Sequence, residues 1–426
     1  MSLEDLLPGY LGRQRWFAGD EPSKVVVVEQ DEVAEGLQWM VVDADGALYQ
    51  LVVGTRPAHE PPHFVTGHTT GILGEDGGLL FYDAVLDPSL ALALLAMVAP
   101  DAQATHVRPM GVEQTNSSLV YDDRLVLKLF RRLRPGPNPD VEVTRALGDA
   151  GFENVAVPSA LWRSGDLDLA VVQPFLAGGA EGWALALTSL RDFYGGDSVD
   201  PASRGGDFAA EASRLGHMTA DMHIALAQAF GAQPGDGRAW AAMAERQLAR
   251  IEPEDADAAA TRAFIDRLRQ VADLGASIRV HGDFHLAQVV RTDTGWFVLD
   301  FEGEPARPLE ERRAPSSPLK DVGGMLRSFH YASQVALMEQ DEPRRPEMAP
   351  RADRWERRNR EAFLSGYLRR PGIRDLLPRG QSSLTTVLAA FELDKAVYEV
   401  LYERDHRPDW LPIPRSAIGR LLGGSG

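Results

Sequence analysis

The chain contains no cysteine. Disulfides, thiolate nucleophiles and Cys-ligated zinc are therefore excluded, and a cytoplasmic setting fits. Lysine is scarce as well: of 44 basic residues only Lys24, Lys128, Lys320 and Lys395 are lysines, the others being arginines. No apolar run approaches the roughly 20 residues that a membrane span needs. The start, Met1-Ser2-Leu3-Glu4-Asp5-Leu6, is acidic and polar and does not read as a signal peptide. Positive charge is in deficit, 62 acidic residues against 44 basic giving a net charge of −18. A phosphate-binding surface needs excess cations, so the deficit argues against nucleic acid and anionic membranes as partners. It would steer a cationic small molecule favourably without identifying it.

What the chain does have is 426 residues with an ordinary globular composition, enough for a sizeable core split into two or three units. Its most informative stretch is Val280-His281-Gly282-Asp283-Phe284-His285-Leu286-Ala287-Gln288, followed by Trp296-Phe297-Val298-Leu299-Asp300-Phe301-Glu302. A carboxylate, Asp283, lies in a loop after an apolar strand, and an amide, Gln288, lies five residues on. A second carboxylate, Asp300, closes the next apolar run. The spacing matches the kinase pattern H-x-D-x-x-x-x-N followed by D-F-x, with Gln in place of Asn and Glu in place of Gly. Phosphoryl transfer needs this set: one group to orient the attacking hydroxyl and two oxygen ligands for Mg²⁺ on the nucleotide phosphates. His-Gly-Asp is also a common turn, and a strand-end Asp is often a cap. The two motifs in register favour the catalytic reading.

Lys128 sits inside the apolar run Leu125-Val126-Leu127-Lys128-Leu129-Phe130. In a chain that otherwise chooses arginine, a lysine there suggests a need for a compact ammonium, although a strand lysine can also snorkel to water. Glu142, in the acidic first turn of a helix opened by Pro139, is at a distance suited to pairing with Lys128 and holding it toward phosphates; it equally suits a surface glutamate. The segment Gly111-Val112-Glu113-Gln114-Thr115-Asn116-Ser117-Ser118 reads as a hairpin tip crowded with amide and hydroxyl groups. Asn116, Ser117 and Ser118 would supplement backbone N–H groups around phosphate, or simply face solvent. Gln173 to Leu176, Phe175 included, reads as an extended hinge after the last strand, offering backbone groups to an adenine.

The periodicities divide the chain into a β-rich unit over 1–95, a mostly strand unit over 96–176 and a mainly helical unit over 177–426. Strands are expected over 25–29, 36–42 and 47–53, and helices over 88–98, 208–229, 240–251 and 258–274. Gln14-Arg15-Trp16-Phe17-Ala18-Gly19 reads as a packing anchor. The Gly/Ser/Asp-rich stretch 195–206 has the composition of a mobile loop. His217, Asp221 and His223 are spaced so that they do not share one helix face, which argues against a metal site.

With these residues in view, the chain resembles the aminoglycoside-phosphotransferase-like kinases, most closely the actinobacterial maltokinase group. Glu113 to Ser118, Val126 to Leu133 and Pro135 to Pro139 resemble that group's nucleotide lobe. His281 to Val290, Leu299 to Pro305, Asp321 to Phe329 and Glu392 to Glu399 resemble its helical lobe, and Trp16-Phe17-Ala18-Gly19 its cap. The resemblance implies an α+β, bilobal protein-kinase-like fold with an extra N-terminal cap, and an ATP- and Mg²⁺-dependent kinase acting on a sugar hydroxyl. It implies Asp283 as the catalytic carboxylate, Gln288 and Asp300 on the metals with Glu302 in support, and Lys128 with Glu142 on the phosphates. Glucosamine, giving the 6-phosphate, is the favoured acceptor, with maltose, giving the 1-phosphate, as the alternative. An aminosugar is a cation near neutral pH, and carboxylates crowd the C-terminal helix and its exit. Glu399, Glu403, Asp405 and Asp409, with Trp410, are therefore the candidate sugar residues, against the alternative of a solvated acidic face on which Glu399 pairs with Lys395. A monomer is favoured. An aminoglycoside phosphotransferase and a nucleotide-binding scaffold without activity are the rival readings.

Overall fold

A computed structural model describes residues 2–17, 19–60, 69–111, 116–196, 200–203, 206–251 and 258–423. Glu113, Gln114 and Thr115 of the expected hairpin tip, and parts of the 195–206 stretch, lie outside these residues. The chain divides into two compact units, 1–145 with 156–177, and 146–155 with 178–426.

The first unit opens with α1 (Leu3–Leu11), closed by a capping box in which Ser2 and Asp5 bond each other's backbone N–H. An antiparallel sheet follows from β1 (Val25–Ala34), β2 (Leu37–Ala44), β3 (Ala47–Pro57), β4 (Ile72–Asp76) and β5 (Leu79–Asp83), in the order β1-β2-β3-β5-β4. α2 (Pro88–Val98) then starts with proline in its first turn, and Asp87 caps it by accepting from Ser89 N at 2.9 Å. β6 (Val107–Pro109), β7 (Asn116–Tyr121), β8 (Leu125–Phe130), β9 (Arg132–Leu133), α3 (Pro139–Asp149), β10 (Ala160–Ser164) and β11 (Leu167–Pro174) complete the order. β9 pairs with β3, and the other strands form a second sheet, β10-β11-β8-β7-β6.

Alternation along β2 and β3 explains how the two sheets share one interior. Successive side chains point to opposite faces. Met40, Val42, Leu51 and Val53 enter a core with α1 and Trp16. Trp39, Val41 and Val52 enter another, shared with α2 and with Leu119, Leu127, Leu129 and Val171 of the second sheet. Trp16 lies edge-on to Tyr10 and tilted against Tyr49, so the aromatic run is a packing anchor as expected.

The second unit adds β12 (Ala180–Glu181), α4 (Gly182–Tyr194), α5 (Ala209–Phe230), β13 (Ala232–Pro234), α6 (Gly237–Leu248), α7 (Ala258–Gln270) and β14 (Ala276–Ile278). β15 (Val289–Arg291), β16 (Trp296–Val298), α8 (Leu309–Arg313), α9 (Leu319–Met338), α10 (Arg345–Leu368), α11 (Gln381–His406) and α12 (Pro412–Gly423) follow. α9 is buried along nearly its whole length, as a helix central to a unit must be. Phe329 on α9 packs edge-on to Trp355 and Phe363 of α10. β15 pairs with both β12 and β16, which fixes the ends of the loops on either side of the hairpin. No helix among the described residues is long and apolar enough to cross a membrane.

One ion pair ties the first unit together. Arg131 is wholly buried between β8 and β9; it donates to Asp83 Oδ2 at 2.5 Å and to Ser117 Oγ at 2.8 Å, with its guanidinium over Trp16. Removing one partner of a buried pair leaves an uncompensated charge, which costs about 3–5 kcal/mol. Arg131→Met is therefore expected to destabilise the protein by that order, read as a fall in the urea midpoint, with Arg131→Lys recovering only part of the loss.

Candidate active site

The loop after β14 is held by side chains from below. Asp321, in the first turn of α9, accepts from the backbone N–H of His281 (2.8 Å) and of Gly282 (2.9 Å). His223 of α5 reaches the same carboxylate at 3.1 Å through Nε2, while its Nδ1 meets Tyr367 Oη of α10 at 2.8 Å. Burial acts to raise the Asp321 carboxyl, but these bonds and the neighbouring histidines bring it below the ordinary range, so it is a fixed anion under the loop. His281 is buried against Phe301; its Nε2 lies 2.9 Å from Leu299 O and its Nδ1 accepts from Asp283 N at 3.3 Å. That pattern makes His281 a loop-shaping group.

α9 also approaches the loop as closely as a helix can. A Cβ on Gly324 would stand 2.6 Å from the carbonyl oxygen of Phe284, a backbone atom beside Asp283. The turn itself needs Gly282, whose φ is +86°.

Asp283 lines a small pocket together with Glu304, Asp394, Lys320 and Lys395. Lys395 Nζ donates to Asp283 Oδ1 and to Glu304 Oε1, each at 2.8 Å, and lies over the Tyr398 ring. Glu304 is bonded by Arg307 Nε, and Arg307 Nη2 donates to Asp394 Oδ2 at 2.8 Å. The result is a row of alternating charges, Asp394–Arg307–Glu304–Lys395–Asp283. Burial pushes the Asp283 carboxyl up, but the Lys395 ammonium, helped by His285, overcomes it and holds the group well below the usual carboxylate range. Asp283 is thus an ionised acceptor, with its side chain 15% exposed toward an incoming group.

Gln288 and Asp300 come together as their spacing suggests, Gln288 Nε2 lying 3.2 Å from Asp300 Oδ2. Asp300 adopts φ +62°, a conformation that non-glycine residues rarely hold without a functional or structural demand. Among the described residues no three His, Cys, Asp or Glu side chains form a closed metal cage. The Asp300 carboxylate beside the Gln288 amide is a donor set of the kind Mg²⁺ takes, since that ion binds through one or two carboxylates and completes its shell with water and phosphate oxygens.

In the first unit, Lys128 on β8 donates to Asp140 at 3.2 Å, a carboxylate in the first turn of α3 two residues before Glu142. Sequence reasoning had not singled out Asp140. Asn116, Ser117 and Ser118 lie on β7, beside β8, with Ser118 opposite Lys128 and Ser117 accepting from Arg131. Gln173 pairs with Val126 within the sheet, and the Phe175 N–H is used by Arg124 O at 2.8 Å, so the hinge has one fewer free donor for an adenine than expected.

The acidic face of α11 requires a correction. Glu392, Asp394, Glu399 and Glu403 are buried, not solvated. Glu399 pairs with Arg327 of α9 at 2.5 Å, in place of the expected partner Lys395 one turn away. Glu403 accepts from Tyr331 and Arg407, and Glu392 from Arg360. Asp405 and Asp409 are exposed. Trp410 carries the Arg407 guanidinium on its face, 4.1 Å from the ring centre.

Comparison with known proteins agrees with this geometry. Residues 10–87 match the maltokinase N-terminal cap domain, and residues 106–303 match the phosphotransferase enzyme family. The glucosamine kinase of Mycolicibacterium smegmatis is 30% identical over 337 residues, 74% of this chain and 79% of that protein. The glucosamine kinase of Streptacidiphilus jiangxiensis is also 30% identical, over 79% of this chain and 77% of its own. The chain belongs to their phosphotransferase family. A solved glucosamine kinase shares the fold, with a TM-score of 0.70 over 97% of both chains at 24% identity. The fold is thus the protein-kinase-like α+β architecture with an added N-terminal cap.

Two outcomes follow for the loop. Gly324→Ala should lower kcat by about 10–100-fold, the cost of displacing reacting groups by about an ångström, while circular dichroism shows retained secondary structure. A carboxylate held below its ordinary range loses activity only as pH falls through its depressed pKa. The pH profile of kcat/KM should therefore show no acid limb near pH 4, the ordinary aspartate value. In Lys395→Met, where Asp283 loses the ammonium 2.8 Å away while Glu304 keeps Arg307, the limb should move to higher pH.

Proposed function

We propose that this chain is an ATP-dependent kinase that phosphorylates glucosamine on its 6-hydroxyl. The observation that carries the reading is Asp283: an ionised carboxylate lining a small pocket, on a loop held by Asp321, with Gln288 and Asp300 paired in the following motif. The two curated relatives are glucosamine kinases, and a further solved protein of the same fold is a glucosamine kinase in complex with glucosamine, ADP and inorganic phosphate.

In this reading Asp283 accepts a hydrogen bond from the acceptor hydroxyl and orients it for in-line attack on the γ-phosphorus. Little covalent assistance is needed, so positioning and charge stabilisation carry the rate. Lys128, kept in place by the first turn of α3 with its carboxylates Asp140 and Glu142, would hold the phosphates. Asn116, Ser117 and Ser118 would face them from the neighbouring strand, and Gln173 and Phe175 would border the adenine. Gln288, Asp300 and Glu302 would hold Mg²⁺, which screens the charge of the transferred group. A cytoplasmic setting fits the lack of cysteine.

Maltose is the second reading, favoured by the cap that matches maltokinases over residues 10–87 and by the commitment of Glu399 and Glu403 to arginines. ADP release against glucosamine, maltose, glucose, N-acetylglucosamine and kanamycin separates these. Turnover on glucosamine, lost by about a thousandfold or more in Asp283→Asn as expected when a positioned acid–base group is removed, would support the proposal. Turnover confined to maltose or kanamycin would transfer it to those acceptors. Thermal stabilisation by ATP–Mg without any turnover would leave a binding scaffold.

A further inference from the structure

We infer that Lys395 is a specificity-determining residue, whose ammonium bars the hydroxyls flanking a sugar's amine from Asp283 and admits only a hydroxyl remote from that amine. The inference rests on the aminosugar kinase reading above.

Its basis is the position of the ammonium, 2.8 Å from Oδ1 of Asp283, the carboxylate that would accept the sugar hydroxyl's hydrogen bond. A hydroxyl bonded to Asp283 brings the substituent on the adjacent carbon within a few ångströms of Lys395. In glucosamine the hydroxyls on carbons 1 and 3 flank the charged amine on carbon 2, so either would set two cations side by side. The 6-hydroxyl lies across the ring and escapes this repulsion. Lys395 has no ready way to withdraw, because it is held between Asp283 and Glu304 and over Tyr398, and Glu304 is itself fixed by Arg307.

The other acids of the cavity offer an ammonium no better welcome. Glu304 is already shared by Lys395 and Arg307, and Asp394 is bonded to Arg307. Lys320 lines the same cavity and adds a second ammonium. Two of the chain's four lysines therefore line the pocket beside Asp283. The amine of the sugar is read elsewhere, and the region around Asp283 reads a neutral hydroxyl.

The test uses the full chain with ATP–Mg and assigns the phosphorylated position by ³¹P–¹H NMR. Wild type should give glucosamine 6-phosphate alone and leave 6-deoxyglucosamine untouched. Lys395→Met, shown to be folded by circular dichroism, should turn over more slowly and place about a tenth or more of its product on the flanking hydroxyls, a change of the size that one pocket contact supplies. Lys395→Arg should keep the 6-phosphate alone. A merely structural lysine would lower kcat in the Met variant without redistributing the product. A folded Met variant that makes only the 6-phosphate, or a wild type that phosphorylates beside the amine, would overturn the inference while leaving the kinase assignment intact. Should the Met variant fail to fold, wild type decides alone: 6-deoxyglucose should be phosphorylated at least about tenfold faster than 6-deoxyglucosamine, and equal rates would overturn the inference. Turnover of maltose without any of glucosamine would defeat both the aminosugar reading and this one.

Discussion

The alternating row Asp394–Arg307–Glu304–Lys395–Asp283 is the constraint on which the site depends. A kinase of this kind needs a carboxylate that is charged, dry enough to act strongly, and fixed in direction. Burial alone would protonate it. Two like charges about 4 Å apart repel by ~4 kcal/mol at an effective dielectric near 20, so two bare carboxylates could not both stay ionised beside one cavity. Placing a cation between each pair resolves this. Every member has its counter-charge, and each step fixes the next in place.

The row also explains why the parts come from distant stretches of chain. Asp283 lies on the loop after β14, Glu304 and Arg307 follow the Asp300 motif, and Asp394 and Lys395 lie on α11. Charges so far apart in sequence can meet only when the helices are packed. The Asp283 carboxylate thereby acquires its ionised state from the completed fold. Asp321 works in the same way from α9, using one carboxylate to fix two consecutive backbone N–H groups of the loop.

Much of this was legible in the sequence. Alternation gave β1 to β3, the Pro-opened segments gave α2 and α3, and two motifs in register located Asp283, Gln288 and Asp300. Less legible was everything that depends on which helix faces which. The carboxylates of α11 were read as sugar ligands or else a solvated face, because nothing local reveals that Arg327, Arg360 and Arg407 cover them. The i,i+4 rule likewise offered Lys395 as the partner of Glu399. It describes an exposed helix, where a pair is worth only about 0.2–0.5 kcal/mol, and a buried Arg327 outbids it easily.

Lys395 was nonetheless within reach of sequence reasoning. The scarcity of lysine that marked Lys128 applied with equal force to Lys320 and Lys395. A chain that meets its need for positive charge with arginine keeps lysine where a planar fork would not serve. A guanidinium would span two carboxylates with several fixed donors and fill more of the cavity. An ammonium bridges Asp283 and Glu304 from a single atom and leaves the space beside them open for a sugar hydroxyl. Composition read as a choice between two cations thus points to the same residue as the structure does.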